Sequence, residues 1–307
     1  MKIGGAVMSN VKYHNVETIQ NFKQISVHIE PEAGIVWVYQ KPHPRPCFNP
    51  DLISEVRKIQ KMLEQYNGRL PCNGELVPIN YHVLDSQTPG IFSMGGDLSF
   101  FKECIINKDK TRLLQYAKTC IDTIHSFIVG FRLPITTISL VRGDALGGGF
   151  EVALSGNVVI AEKGISLGFP EILFNLFPGM GGYHLLLQRL NPYMVQEMML
   201  NGRVYSSEEL FDMGVIDILA ESGEGQRSVY SYVEKSTKYR NGYRAMQQVK
   251  QRVNPITYDE LWDVCSFWVD IAMEISERDI RLMDRLINAQ NRKAATGYQE
   301  TAMRNTG

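Results

Sequence analysis

Residues 26–30 and 35–39 alternate apolar and polar positions with a period of two, and Pro31-Glu32-Ala33-Gly34 lies between them, so the pattern predicts a hairpin. The three prolines of Lys41-Pro42-His43-Pro44-Arg45-Pro46 exclude helix and predict extended chain. At Asn49-Pro50-Asp51 a helix start follows, with Leu52, Val56, Ile59 and Leu63 as an apolar stripe to about residue 65. Residues 77–84 read as a strand running into Asp85-Ser86, and a second short run begins at Ile91 and breaks at Gly95-Gly96. Asp97 stands where it would cap the next helix. Residues 113–127 carry the period of a long amphipathic helix, and Ile135 to Val141 is a branched, strand-forming run. Strands alternating with helices imply βαβ units and a mainly parallel sheet, an α/β fold. Further helices are expected at about 182–190, 192–200 and 206–213, and residues 228–293 are largely helical by period. There Trp262, Phe267, Trp268, Ile271, Ala272 and Ile275 form one broad stripe.

Composition narrows the function classes. With 307 residues, 44% of them hydrophobic, the chain can bury a large core. The formal net charge is −1 and no Lys/Arg block stands out, which argues against nucleic acid or an anionic membrane as the main partner. No apolar run approaches the ~20 residues of a membrane span, and the first residues have no sustained apolar stretch of the kind a signal peptide needs. Five cysteines (Cys47, Cys72, Cys104, Cys120, Cys265) are scattered and form no CxxC pair. Reduced, mostly buried thiols in the cytoplasm are therefore expected, rather than zinc or a disulfide framework. The six histidines form no HxH or HExxH pattern, so neither a metal nor a cofactor is expected.

The chemistry concentrates between Ile135 and Gly182. The strand-like run breaks at Gly143-Asp144, three glycines follow (Gly147, Gly148, Gly149), and Phe150-Glu151-Val152-Ala153-Leu154 reads as the first turns of a helix. A strand that ends in glycines feeding a helix start points backbone N–H groups at a negative charge, and without Cβ atoms a ligand can lie against that backbone. Glu151 sits beside those donors, and a second carboxylate, Glu171, follows Pro170 at the end of another short apolar run. Gly-rich turns are common, and a lone first-turn glutamate ordinarily complements the helix dipole, so no single piece is diagnostic. Two carboxylates beside an anion-stabilising turn, however, suit acid–base chemistry next to a carbonyl.

Met94-Gly95-Gly96-Asp97, Gly143 to Glu151, Gly168-Phe169-Pro170-Glu171 and Phe177 to Gly182 together resemble the crotonase (enoyl-CoA hydratase/isomerase) superfamily. The resemblance implies ββα turns wound into a spiral, with a C-terminal helical region. It also implies an oxyanion hole from the N–H groups of Gly96 and Gly148, and an acid–base pair of Glu151 and Glu171, spaced 20 apart. Arg45-Pro46-Cys47-Phe48, Phe92 to Leu98, Leu173 to Gly181 and Met283 to Ile287 are similar to the branch that makes diffusible signal factors, cis-2-unsaturated fatty acid quorum signals. That branch implies a dehydratase that is also a thioesterase, acting on a 3-hydroxyacyl group of medium length carried by acyl carrier protein.

Gly95, Leu146, Gly147, Leu173, Phe174, Leu176, Met180, Gly181, Trp268, Met273 and Leu286 are the candidates for substrate contact, mostly as walls of an apolar acyl slot. The sequence leaves open which glutamate is acid and which is base. A plain enoyl-CoA hydratase of fatty acid oxidation, with an acyl-CoA substrate, is the alternative; a protein that acts by binding a membrane sensor kinase is another. The expected organisation is a flexible leader over 1–20, a core with the active site over 21–220, a helical region over 221–295 and a disordered tail over 296–307. The resemblance also implies a homo-oligomer, trimer or hexamer.

Overall fold

A seven-stranded sheet, a four-stranded sheet, the two-stranded pair Arg69–Cys72 and Glu75–Pro78, and a run of C-terminal helices organise the chain in the computed structural model, which describes residues 17–18 and 22–304. The larger sheet has seven strands, in the order Glu17–Thr18, Ile25–Glu30, Ile35–Gln40, Tyr81–Ser86, Thr136–Val141, Val158–Glu162 and Ile218–Ala220. Pairing is antiparallel across the first three strands, which contain the expected hairpin, and parallel across the rest. Tyr81–Ser86, Thr136–Val141 and Val158–Glu162 are buried at every position. Continuous branched apolar runs are what a strand covered on both faces needs.

The smaller sheet has the order Val204–Ser206, Ser166–Gly168, Asp144–Leu146 and Ile91–Ser93, its last three strands mutually parallel. Each of these three short strands follows a long strand of the larger sheet. Ile91–Ser93 leads into the helix Leu98–Ile106, Asp144–Leu146 into the helix Gly148–Leu154, and Ser166–Gly168 into the 3-10 turn Glu171–Phe174. Winding long strand, short strand and helical turn three times gives the expected α/β spiral with a C-terminal helical region.

The helices begin where side chains can hold their first N–H groups. Asn49 accepts from Leu52 N–H ahead of Pro50–Gln65, and Asp97 accepts from Ser99 and Phe100 N–H ahead of Leu98–Ile106. Thr257 and Glu260 form a capping box at the start of Tyr258–Met273. That helix packs along Lys110–Ile128, burying Leu261, Cys265, Trp268, Val269 and Ala272 in the main core, while Phe267 remains exposed. The helix Arg240–Val253, by contrast, buries none of its residues.

Two expectations change. The strand expected over 77–84 is two strands, Glu75–Pro78 and Tyr81–Ser86, in different sheets. Pro78 has no N–H to continue a ladder, and the chain changes sheet at that point. The tail expected to be disordered from 296 instead continues the helix Glu277–Arg304. Extending an existing helix through good helix formers such as Ala294 and Ala295 avoids the cost of a new nucleus. The leader over 1–20 lies outside the described residues except for Glu17–Thr18, which pair with Ile29 and His28. Among the described residues no helix is long and apolar enough to cross a membrane.

Candidate active site

The site is assembled at the carboxyl ends of the three parallel short strands. Ser93 and Leu167 both pair with Ala145, and Gly168 pairs with Leu146, so the segments after these strands emerge side by side. The first delivers Met94 to Asp97, the second Gly147 to Gly149, and the third Phe169 to Glu171. Gly95 has φ +93 and Gly147 φ +56, in the left-handed region that side chains avoid. A Cβ on Gly95 would lie 2.9 Å from the Leu146 carbonyl oxygen, and one on Gly149 only 2.3 Å from that of Ser93, so the two chains touch backbone to backbone. A Cβ on Gly148 would stand 3.4 Å from the Gly96 nitrogen, which brings the two expected oxyanion donors together. Gly148 opens its helix, and its N–H therefore has no acceptor inside it.

Both glutamates are buried beside these donors. Glu151 Oε1 accepts the N–H groups of Met180 at 2.7 Å and Gly182 at 2.8 Å. Burial pushes the Glu151 carboxyl up to about 7, and the two donors hold it down from going further. Glu171 sits where a Cβ on Gly147 would be, 2.5 Å from its Oε1. Burial first, and then the nearby Glu151 charge, raise its carboxyl well above the usual range. Glu171 Oε2 is buried without a hydrogen-bond partner. Of two coupled carboxyls, the one holding two N–H donors is the better anion, so Glu151 carries the charge and Glu171 the proton.

A cavity of about 350 Å³ opens onto these groups. Gly95, Gly96, Gly147, Gly148, Glu151, Glu171, Leu146, Phe174, Met180, Trp268 and Leu286 all line it, brought together from across the sequence. Four further candidates do not. Leu173 is 55% exposed on the outer side of its 3-10 turn, and Leu176 is packed into the core. Gly181, at φ +105, starts the helix Gly182–Leu187, and Met273 packs against the core from the end of its helix. The walls also include Leu98 and Phe177, which lie in the motifs, and Phe101, Tyr116, Cys120 and Cys265, which sequence reasoning did not place at the site. Tyr116 and Cys120 are four apart in the amphipathic helix, and that spacing places them on one face. Their apolar surroundings, however, look like any core stripe. Among the described residues no group of metal-ligating side chains is found.

Comparison with known proteins bears on the family and the fold. The family model Enoyl-CoA hydratase/isomerase matches residues 79–297, more than half of the chain. An enoyl-CoA isomerase/hydratase of Zymoseptoria tritici is 28% identical over 196 residues, 63% of this chain and 60% of that protein. A Bacillus subtilis protein described as a probable enoyl-CoA hydratase is 30% identical over 130 residues, 42% of this chain and 48% of its own. The alignments thus span about half to three-fifths of these curated relatives. Among solved structures, an enoyl-CoA hydratase from Bacillus halodurans superposes with a TM-score of 0.71 at 17% identity, over 86% of this chain and all of that one (100%). DspI from Pseudomonas aeruginosa superposes with a TM-score of 0.64 at 21% identity, over 78% of this chain and 85% of its own.

Proposed function

The chain belongs to the enoyl-CoA hydratase/isomerase family, and from that premise we propose that it dehydrates a 3-hydroxyacyl thioester to the 2-enoyl thioester and then hydrolyses it to a free cis-2-unsaturated fatty acid. The observation that carries the first half is the placement of Glu151 and Glu171 in one cavity with the Gly96 and Gly148 N–H groups. With the thioester oxygen between those N–H groups, the charge that develops as the C2 proton leaves falls on preorganised donors, which stabilise the transition state more than the substrate. One carboxylate takes the C2 proton while the other carboxyl protonates the departing 3-hydroxyl, which leaves as water. The pair holds one proton before and after, and in the resting site Glu151 is the acceptor and Glu171 the donor. Hydrolysis would use the same oxyanion hole, with a carboxylate-activated water attacking the thioester carbon and the carrier thiol leaving.

The second half rests on the signal-synthase motifs, chiefly Arg45-Pro46-Cys47-Phe48 and Leu173 to Gly181, with the DspI likeness in fold beside them. The cavity's volume and its apolar walls at Leu146, Phe174, Trp268 and Leu286 favour a medium-length alkyl tail. In this reading the carrier is acyl carrier protein. The names of the Bacillus relatives favour the alternative, simple hydration of a CoA-linked enoyl chain.

The two are separated by mass spectrometry of products from 3-hydroxydodecanoyl acyl carrier protein, with Glu151→Gln and Glu171→Gln in parallel. A free 2-unsaturated acid that is lost in both variants is the expected result. Unsaturated product that stays on its carrier, or turnover of the CoA thioester alone, would replace the synthase reading with the hydratase.

A further inference from the structure

The segment Arg45 to Phe48 lies outside the cavity walls described above except through the loop it grips. Met94 N–H donates to the Pro46 carbonyl at 2.8 Å, and Phe48 N–H donates to the Gly95 carbonyl at 2.8 Å. Beyond these, Arg45 Nη2 donates to Asp97 Oδ1 at 2.8 Å. The segment thus forms a strap along the whole loop from Met94 to Asp97. Tyr116 OH donates to the Phe48 carbonyl at 2.6 Å and fixes the strap to the helix Lys110–Ile128.

The consequence for the oxyanion hole follows from peptide geometry. The Gly95 carbonyl and the Gly96 N–H belong to one planar trans unit and point in opposite directions. Holding the carbonyl toward the strap therefore aims the Gly96 N–H away from it, into the cavity that Gly96 lines. Gly95, at φ +93 and without a side chain, offers little resistance of its own to rotation of that peptide. The ion pair closes the other end. Asp97 Oδ1 takes the Ser99 and Phe100 N–H groups as well as the guanidinium, and both partners are mostly buried, with side chains 22% and 11% exposed.

We propose that Arg45 is a positioning residue for the oxyanion hole: through Asp97 and the strap it fixes the direction of the Gly96 N–H. This rests on the thioester chemistry proposed above. A carbonyl donor set must be preorganised to act, so loosening it lowers the rate of the chemical step rather than substrate affinity.

The test uses Arg45→Met and Arg45→Lys in the full chain, with 3-hydroxydodecanoyl thioesters of acyl carrier protein and of pantetheine. A 3-oxododecanoyl pantetheine thioester is the second probe, because its bound enolate is read directly by ultraviolet absorbance. Arg45→Met is expected to lower kcat about tenfold on both substrates with KM within about twofold, and to reduce the enolate signal in parallel. Arg45→Lys, which keeps the charge but not the fork, restores part of each. An unchanged kcat and enolate signal would overturn the proposal. So would a loss confined to KM for the carrier-bound substrate, which would make Arg45 a contact for the carrier. A wild-type protein that binds the enolate but dehydrates neither thioester would refute the assigned reaction, while the enolate signal still decides the role of Arg45.

Discussion

Replacing Glu151 by Gln should sharply lower turnover and, as pH rises, make the variant gain stability relative to the wild type. The carboxyl is almost completely buried, and burial lifts it from the ordinary 4.5 to about 7. A folded-state value above the unfolded one means that the neutral form favours folding. This contribution is fully present below about pH 4.5 and is lost as pH rises through about 7. Between pH 5 and pH 8.5 the loss integrates to roughly 2–3 kcal/mol. Gln can offer its carbonyl oxygen to the Met180 and Gly182 N–H groups where Glu151 Oε1 now stands, and it has no charge to bury. Any cost of its amide group is independent of pH in this range, so the informative quantity is how the gap between variant and wild type changes with pH. Thermal melts at pH 5 and pH 8.5 should see the variant gain about 4 °C on the wild type over that interval. Turnover should fall about 10²–10⁴-fold, the usual share of general acid–base catalysis. Melting curves that stay parallel across this pH range would refute the claim that Glu151 is charged at a cost inside the fold.

Because the proposed mechanism uses ionised Glu151 as the base, kcat/KM for the 3-hydroxyacyl thioester should rise with pH through about 7, and a stopped-rate pH profile that is flat from 6 to 8 would contradict this. Gly96→Ala keeps the N–H but drives a Cβ to 2.4 Å and 2.7 Å from two atoms of the buried Phe101 ring. We expect kcat to fall about 10²–10³-fold, as for loss of an oxyanion donor, and part of it to return when Phe101→Leu is added. Trp268→Ala removes a ring packed 5.1 Å from Phe101 on the cavity wall. It should cost about 3–5 kcal/mol by chemical denaturation and shift substrate competition toward longer or bulkier acyl chains.

The grouping of the candidate site residues was legible in the sequence wherever local backbone carries it. Gly95-Gly96, Gly147-Gly148 and the two glutamates are fixed by short motifs at strand ends, and local chain geometry decides where each points. The cavity wall was less legible because helix and turn rotation decide it. Leu173, Phe174 and Leu176 are near neighbours of one apolar type. Yet Leu173 faces outward, Phe174 lines the cavity and Leu176 enters the core. Nothing in their composition separates these three directions. Phe101, Tyr116 and Cys265 come from three helices whose apolar stripes serve core and cavity together. The roles of the two glutamates were not readable either, since they depend on which carboxylate meets the N–H groups of a loop some thirty residues away.

That loop resolves a competition the sequence conceals. The start of the helix Gly148–Leu154 is the positive end of a dipole, and a glutamate in its first turn would ordinarily fold back onto the free N–H groups there. Had Glu151 done so, its charge would occupy the donor that the proposed mechanism gives to the thioester oxygen, and the helix would stabilise the resting state instead of the proposed transition state. The N–H groups of Met180 and Gly182 take the carboxylate instead. The Gly148 N–H is thereby left free of Glu151, as the proposed oxyanion role requires, and the charge on Glu151 is held in place without being neutralised by a cation. The close contact at Gly182, where an added Cβ would lie 3.1 Å from Glu151 Oε1, follows from the same requirement: the loop must approach near enough for its backbone alone to hold the anion. On the proposed reaction, two backbone turns divide the two negative charges between them, and this division, more than the presence of two glutamates, is what would let one pocket hold a base and stabilise an enolate at once.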